Sequence, residues 1–207
     1  MRVARNLVGL TTREVLRNLL EDSPEISGIQ ARIYFYISNE PSTHDKRLML
    51  KREDFLQDKI LDELVSSLED KENITLGSLI EFFDGGKGHV PMLDLAPVKS
   101  PEALEKVIKR LKEILVPEFG GGVILESKKS YQFIGLRVFK ENLFNQFLGR
   151  ALITSIVTKM PEDMPNKHEL IVDYRYVGHS LIKGATGLRI TARGDKDFMP
   201  KVICTLE

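Results

Sequence analysis

The sequence predicts an α+β protein with a ferredoxin-like core and an N-terminal α/β extension. Between residues 90 and 177, strand and helix patterns follow one another in the order β-α-β-β-α-β, which is the order of the ferredoxin-like, split βαβ arrangement. Before residue 90, a separate set of helix and strand patterns ends in the glycine-rich break at residues 84–88. We therefore predict an extension over residues 1–89, packed on a core over residues 90–207.

Local signals define the elements of the core. Its strands are runs of apolar, β-branched and aromatic residues, predicted over residues 90–95, 123–126, 131–139 and 169–177, with further strands over 188–193 and 201–206. Its two helices repeat apolar residues at helical spacing, predicted over residues 100–116 and 140–158. Ser100-Pro101-Glu102 is a strong start signal for the first helix, because it joins a capping serine, a proline and an acid.

The extension has weaker signals. Its predicted helices cover residues 11–21 and 51–68, and its predicted strand covers residues 29–38. Residues 41–51 are polar and are predicted to form a loop. The pattern over residues 74–83 fits a strand or a short helix.

Composition excludes several classes of protein. The 207 residues carry a formal net charge of zero, so any nucleic-acid binding must come from a local basic patch. One cysteine, Cys204, can form neither an internal disulfide nor a cysteine zinc site, which predicts a cytoplasmic location. No apolar segment approaches the roughly 18 residues of a membrane span.

Two aspartates at the ends of apolar strands are the first candidate site. Asp94 lies on the first core strand and Asp173 on the last. Alternation along each strand places both carboxylates on the face away from the helices. Mg²⁺ prefers one or two carboxylates with phosphate oxygens and water, so the pair predicts a metal site. Solvated carboxylates, or ion pairs with Arg175 or Arg189, remain an open alternative.

Basic and hydroxyl side chains form a second candidate group. The hairpin turn carries Ser127 and Lys129, which suit phosphate oxygens, or alternatively an ordinary solvated turn. Arg189 lies on a strand predicted next to the aspartate strand, where a cationic face suits a triphosphate or a nucleic-acid backbone. His179, near a glycine, is the usual kind of structural hydrogen-bonding histidine.

Taken together, these residues resemble the archaeo-eukaryotic primase superfamily, which includes primase small subunits and primase-polymerases. Its first motif, an acid pair on the first core strand, matches Met92-Leu93-Asp94-Leu95-Ala96; its hairpin motif matches residues 127–133; its third motif, an acid on the last strand, matches Val172-Asp173. The resemblance covers residues 90–191. It implies an RRM-like core, Mg²⁺ or Mn²⁺ as cofactor, and nucleotidyl transfer from a nucleoside triphosphate.

Two positions depart from the family pattern. Ala96 stands where the second acid would be, and Gln132 stands where the hairpin histidine would be. An amide can hydrogen-bond a phosphate but cannot carry a proton as histidine does. We therefore expect impaired nucleotidyl transfer, with Asp94 and Asp173 as catalytic metal ligands. The expected phosphate-binding residues are Ser127, Lys129, Gln132, Arg175, His179 and Arg189.

The expected partners are a nucleoside triphosphate or single-stranded nucleic acid, and a protein partner through the extension. Two other classes stay open. One is a non-catalytic interaction module, for which the aspartates are incidental. The other is an RRM-like RNA-binding protein, in which Tyr131 and Phe133 would stack on bases.

Overall fold

The computed structural model describes residues 6–35, 45–69, 72–158, 167–192 and 198–207 and confirms the α+β class. The described helices are α1 (Thr12–Asp22), α2 (Arg52–Leu56), α3 (Asp58–Ser66), α4 (Pro101–Ile114), α5 (Val116–Phe119), α6 (Phe144–Ile153) and α7 (Tyr174–Lys183), with a 3₁₀ turn over Glu141–Leu143. The described strands are β1 (Ile26–Phe35), β2 (Asp45–Lys51), β3 (Glu72–Phe82), β4 (Lys87–His89), β5 (Met92–Leu95), β6 (Gly122–Glu126), β7 (Tyr131–Gly135), β8 (Phe139–Lys140), β9 (Ile156–Thr158), β10 (Lys167–Glu169), β11 (Gly187–Arg189) and β12 (Lys201–Leu206).

One sheet, called here the N-terminal sheet, has the order β2-β1-β3-β4-β8, and β11 also pairs with β3. The loop predicted over residues 41–51 is wrong from residue 45 onwards, because β2 pairs antiparallel with β1 along its whole length. Leu48 and Leu50 turn toward the apolar core while the residues between and beside them are exposed, so two half-buried side chains are enough to fix this strand. Residues 36–44 lie outside the described part of the chain.

The second sheet, called here the core sheet, has the order β12-β6-β7-β5. The predicted strand over residues 169–177 is wrong. Its middle makes a single antiparallel bridge, Val172 to Leu95, beside β5. Helix α7 then begins at once, because the Asp173 side chain accepts a hydrogen bond from the Arg175 N–H (2.9 Å) and caps it. The first and last core strands are therefore neighbours, as the ferredoxin-like order requires, but the last is reduced to a bridge.

Three other predicted elements differ in extent. The helix expected over residues 51–68 is divided into α2 and α3 at Gln57, and the helix expected over residues 140–158 ends at Ile153. The strand expected over residues 131–139 stops at Gly135, after which β8 joins the N-terminal sheet. The Ser100 start signal is confirmed, since its side chain accepts from the Ala103 N–H (3.1 Å).

The core sheet separates two apolar clusters. On one side, Leu93, Leu95 and Ile124 pack with residues of α4, α6 and α7. On the other side, Met92 and Ile134 pack with residues of the N-terminal sheet and of α1. The face of the core sheet away from the helices, on which the sequence predicts both aspartates, is thus largely covered by the N-terminal sheet. The domain boundary at residue 89 stays a prediction; strands from both sides of it share the N-terminal sheet.

Tyr131 and Phe133 face the helices and are only 2% and 1% exposed. The Tyr131 hydroxyl donates to the carbonyl oxygen of Ser100 (2.9 Å). The prediction that these two rings stack on RNA bases is therefore wrong, because neither ring reaches solvent. Within the described part of the chain, no helix is long and apolar enough to cross a membrane.

His89 is a buried histidine that pattern analysis overlooked. It is 1% exposed, its ring stacks on Phe144 (4.2 Å between centroids), and Nδ1 lies 2.9 Å from the Ser78 hydroxyl. Burial lowers the pKa of His89 to about 4. The folded protein therefore keeps this ring neutral at pH values where an unfolded chain would protonate it.

We expect this histidine to make the protein less stable in mild acid. Below pH 6.5 the unfolded chain binds a proton that the folded chain accepts only near pH 4, so the free energy of unfolding falls by up to about 1.4 kcal/mol per pH unit in that window. His89→Gln removes this titration, so its free energy of unfolding should change less with pH between 6.5 and about 4, whatever its stability at neutral pH. Urea denaturation at several pH values measures both slopes; equal slopes in the two proteins would refute the assignment.

Candidate functional site

A cleft of about 500 Å³ opens between the core sheet and the N-terminal sheet. It is called here the cleft. Its lining residues come from both halves of the chain: Tyr34, Thr75, Asp94, Ser127, Lys128, Lys129, Ser130, Gln132, Tyr176, Gly187, Leu188, Arg189, Phe198 and Pro200. Five of the predicted site residues are among them, namely Asp94, Ser127, Lys129, Gln132 and Arg189.

Asp94 and Gln132 form the floor on the core sheet. They lie opposite each other in the register of β5 and β7, and opposite residues of an antiparallel pair share one face. Leu93 and Leu95 point to the helices, so alternation turns Asp94 toward the cleft. Gln132 lies on the same side of the sheet as Ile134, and β7 pairs with β5 and β6 without a register shift. The amide oxygen of Gln132 is buried and has no hydrogen-bond partner among the residues that the structure describes.

The hairpin between β6 and β7 forms one rim. Its serines close the turn on themselves, since the Ser127 N–H donates to the Ser130 carbonyl (2.9 Å) and the Ser130 N–H donates to the Ser127 hydroxyl (3.1 Å). The Lys129 carbonyl accepts from the Lys99 N–H (3.0 Å), which anchors the turn to the segment before α4. A fixed turn therefore presents the exposed Lys128 and Lys129 side chains at the mouth of the cleft.

Arg189 enters from the opposite wall. In register, Thr75 on β3 lies opposite Arg189 on β11, so both face the same side of the N-terminal sheet. The Arg189 guanidinium donates to the carbonyl oxygens of Thr191 and Phe198, the latter at 3.2 Å. It thereby connects β11 to the segment that carries Phe198 and Pro200 along the rim. The guanidinium is held in place by backbone oxygens while remaining on the cleft wall.

The described residues that line the cleft have more positive than negative charge. They include Lys128, Lys129 and Arg189 and one carboxylate, Asp94, although the whole chain has a net charge of zero. A concave site with an excess of cations attracts anions. Chemically, this arrangement suits a ligand with several phosphate groups better than a neutral or cationic one.

Asp173 does not line the cleft. Its backbone is close to that of Asp94, since the Asp173 N–H donates to the Asp94 carbonyl (3.2 Å). Its carboxylate instead accepts from the Arg175 N–H (2.9 Å) and lies 3.4 Å from the Arg175 guanidinium. Within the described residues, no three His, Cys, Asp or Glu side chains are grouped as a metal site. Metal binding by the two aspartates stays a prediction.

Arg175 and His179 are the other predicted residues outside the cleft. Both are exposed on α7, and neither is a lining residue. The predicted strand over residues 169–177 would contain Arg175, and this placement is wrong because residues 174–183 are helical. The pKa of Arg175 is raised by its hydrogen bond to Asp173, which agrees with a local capping contact.

Sequence analysis missed Tyr34, Thr75, Tyr176 and Phe198. Thr75 becomes part of the cleft through the pairing of β3 with β11, which no local sequence signal predicts. Tyr176 was read as part of a strand, where its side chain would have pointed away from Asp173. The spacing of Val177 and Ser180, both buried, with Gly184 following in a left-handed conformation (φ 69°), was the available helix signal.

Comparison with known families gives one result. A family model described as archaeo-eukaryotic primase 1D-like (AEP-like) matches residues 52–201, more than two thirds of the chain. The matched region contains every lining residue of the cleft except Tyr34. No curated protein and no solved structure is significantly similar to the chain.

Proposed function

The chain belongs to the archaeo-eukaryotic primase 1D-like family, and from this premise we propose that its cleft binds the phosphates of a nucleoside triphosphate or of single-stranded nucleic acid. The family makes it a primase-like, nucleotidyltransferase-like protein. We further propose that nucleotidyl transfer by this chain is impaired.

One observation carries the proposal: three cationic side chains and one carboxylate line a single cleft of about 500 Å³. That volume lies in the range of about 300–1,000 Å³ typical of small-molecule sites. Lys128 and Lys129 reach it from the hairpin, while Arg189 reaches it from the other sheet. A ligand with several phosphates can contact cations on both walls, and arginine adds paired, planar hydrogen bonds to phosphate oxygens.

A divalent cation fits this cleft only in part. Asp94 is the one carboxylate among the lining residues, and Mg²⁺ is bound in proteins through one or two carboxylates completed by phosphate oxygens and water. Asp94 would therefore hold Mg²⁺ or Mn²⁺ together with the bound nucleotide. Such an ion neutralises phosphate charge and activates an attacking hydroxyl.

Two features of this chain support impaired transfer. Ala96, at the position of the family's second acid, offers no ligand, and its N–H is occupied by the carbonyl of Ile171 (3.0 Å). Gln132, at the position of the hairpin histidine, brings a neutral amide that cannot exchange a proton with the reacting groups. Both changes leave phosphate binding possible while weakening metal-dependent chemistry.

Titration of ATP and of single-stranded DNA by calorimetry, with Mn²⁺ present, tests the proposal. We expect Arg189→Ala and Lys129→Ala each to weaken binding by about 10- to 100-fold, since a hydrogen bond to a charged group contributes about 1.5–3 kcal/mol. The salt dependence of DNA binding should decrease in both variants because fewer phosphates are neutralised. Arg150→Ala and Lys106→Ala are matched controls, as both residues pair with acids away from the cleft.

Absence of binding to ATP and to DNA would refute the proposal and favour the non-catalytic interaction module. Binding that is equally weakened by the cleft variants and by their controls would do the same. Primer extension as fast as that of an active primase would refute the impaired transfer alone.

A further inference from the structure

Tyr176 connects the two walls of the cleft. It lies in the first turn of α7, and its hydroxyl is 3.4 Å from the carbonyl oxygen of Met92 on β5 and 3.3 Å from that of Gly187 on β11. The Gly187 N–H donates back to the same hydroxyl (3.2 Å). A single phenol oxygen thus bridges a strand of the core sheet and a strand of the N-terminal sheet.

Met92 and Gly187, whose backbone groups bond the Tyr176 hydroxyl, lie on the same strands as the proposed binding residues. Met92 lies two residues before Asp94, and Gly187 lies two residues before Arg189. Residues two apart on a strand are on the same side of it. Moving the hydroxyl's partners apart would therefore move Asp94 and Arg189 apart as well. The capping residue adds a further link, because the Asp173 N–H donates to the Asp94 carbonyl (3.2 Å).

We propose that Tyr176 is a positioning residue that fixes the separation of Asp94 and Arg189, so that one bound nucleotide contacts both. This inference rests on the proposed function of the cleft. It assigns to the first turn of α7 the role of a clamp between the walls.

The hydrogen bonds of the Tyr176 hydroxyl favour a positioning role over direct contact with the ligand. The hydroxyl has one hydrogen, which it donates to one of the two carbonyls, and it accepts from the Gly187 N–H, so its hydrogen and one of its acceptor positions are engaged by backbone groups. Burial, with a smaller effect from the charge of Asp94, raises the pKa of Tyr176. The phenol therefore stays protonated and keeps its donor throughout the physiological pH range.

The test is the energetic coupling between Asp94 and Arg189 in binding ATP with Mn²⁺. A double-mutant cycle of Asp94→Asn and Arg189→Ala gives this coupling, first in the wild-type background and then with Tyr176→Phe, which keeps the ring and removes the hydroxyl. We expect Tyr176→Phe to weaken ATP binding by about 10-fold and to abolish most of the coupling. A purely structural role would lower thermal stability without changing the cycle.

Ser180→Ala is the matched control. Ser180 is buried on the same helix, its hydroxyl donates to the Tyr176 carbonyl (2.7 Å), and it is not a lining residue of the cleft. We expect this variant to lose stability while retaining both affinity and coupling. Gly187→Ala is a second variant, since a Cβ there would come within 3.2 Å of the Leu76 carbonyl oxygen and require a local shift between β11 and β3. It should reduce the coupling even where Tyr176→Phe fails to fold.

The possible failures are distinguishable. If the wild-type protein does not bind ATP, the proposed function is wrong. If it does bind, and the Asp94 and Arg189 variants weaken binding, but the coupling is unchanged in Tyr176→Phe and Gly187→Ala, only the role of Tyr176 is wrong.

Discussion

Replacing Asp94 by asparagine is expected to remove most of the Mn²⁺-dependent part of nucleotide affinity. Among the described residues, Asp94 is the one carboxylate that lines the cleft, together with three cations, and an amide is a far weaker ligand than a carboxylate for a hard divalent ion. ATP affinity in excess Mn²⁺ should fall by about 10- to 100-fold, which corresponds to about 1.4–2.8 kcal/mol. Affinity measured in EDTA should stay the same or rise, because a negative charge beside the phosphates has been removed.

Asp173→Asn is the matched control, with the same atom change outside the cleft lining. Asparagine caps helices as well as aspartate does, so α7 should keep its start at Tyr174. We expect this variant to retain its Mn²⁺ dependence, since the Asp173 carboxylate is engaged with Arg175. An equal loss in both variants would instead support a shared two-carboxylate site, and full Mn²⁺ dependence in Asp94→Asn would contradict metal binding by Asp94.

Phe147→Ala is expected to destabilise the protein by about 3–5 kcal/mol, the range for removing a buried phenylalanine. Phe147 is 1% exposed and sits at the centre of an aromatic cluster, with ring centroids of Phe119 and Phe139 each 5.2 Å away. Its loss removes two ring contacts and leaves a cavity under the core sheet. Urea denaturation followed by circular dichroism gives the free energy of unfolding and, from the slope, a check that the folded state is comparable.

Phe83→Ala makes the same chemical change at a side chain that is 70% exposed. We expect it to change stability by no more than about 0.5 kcal/mol, as for surface substitutions in general. A similar loss in both variants would mean that the aromatic cluster has no special weight in this fold.

The sequence alone predicted one side of the cleft well. Asp94, Gln132 and the hairpin are positioned by a short strand, a two-residue alternation and a polar turn, all of which are local signals. Asp173 was placed wrongly because an apolar run before it matches a strand, while the cap and helix after it carry the stronger signal. The bridge residue Val172, the capping residue Asp173 and the first helical residue Tyr174 are consecutive, so a strand signal and a helix signal meet there.

The position of the cleft wall that carries Arg189 could not be predicted from local sequence signals. Arg189 was correctly assigned to a strand, but its neighbour was expected to be the aspartate strand. It pairs with β3, and the Tyr176 hydroxyl connects it to β5. Sheet partners far apart in sequence depend on the sum of packing across both layers, which no window of residues contains. For the same reason β2, with only two half-buried leucines, was read as a loop.

The pairing of β3 with β11 also has a consequence for folding while the chain is being synthesised. β3 pairs with β1 along one edge, while on its other edge β4 covers only Leu79–Glu81. Further along the same edge, residues 75–77 of β3 pair with β11. This contact joins distant parts of the chain, since the Ser78 hydroxyl accepts from the N–H of Thr186, which lies 108 residues later. During synthesis, this half of β3 therefore spends several seconds as an unpaired strand edge, at roughly 5–20 residues per second. Unpaired edges are templates for wrong pairing, so nascent or truncated chains that end before residue 187 carry an aggregation hazard that the complete sheet removes.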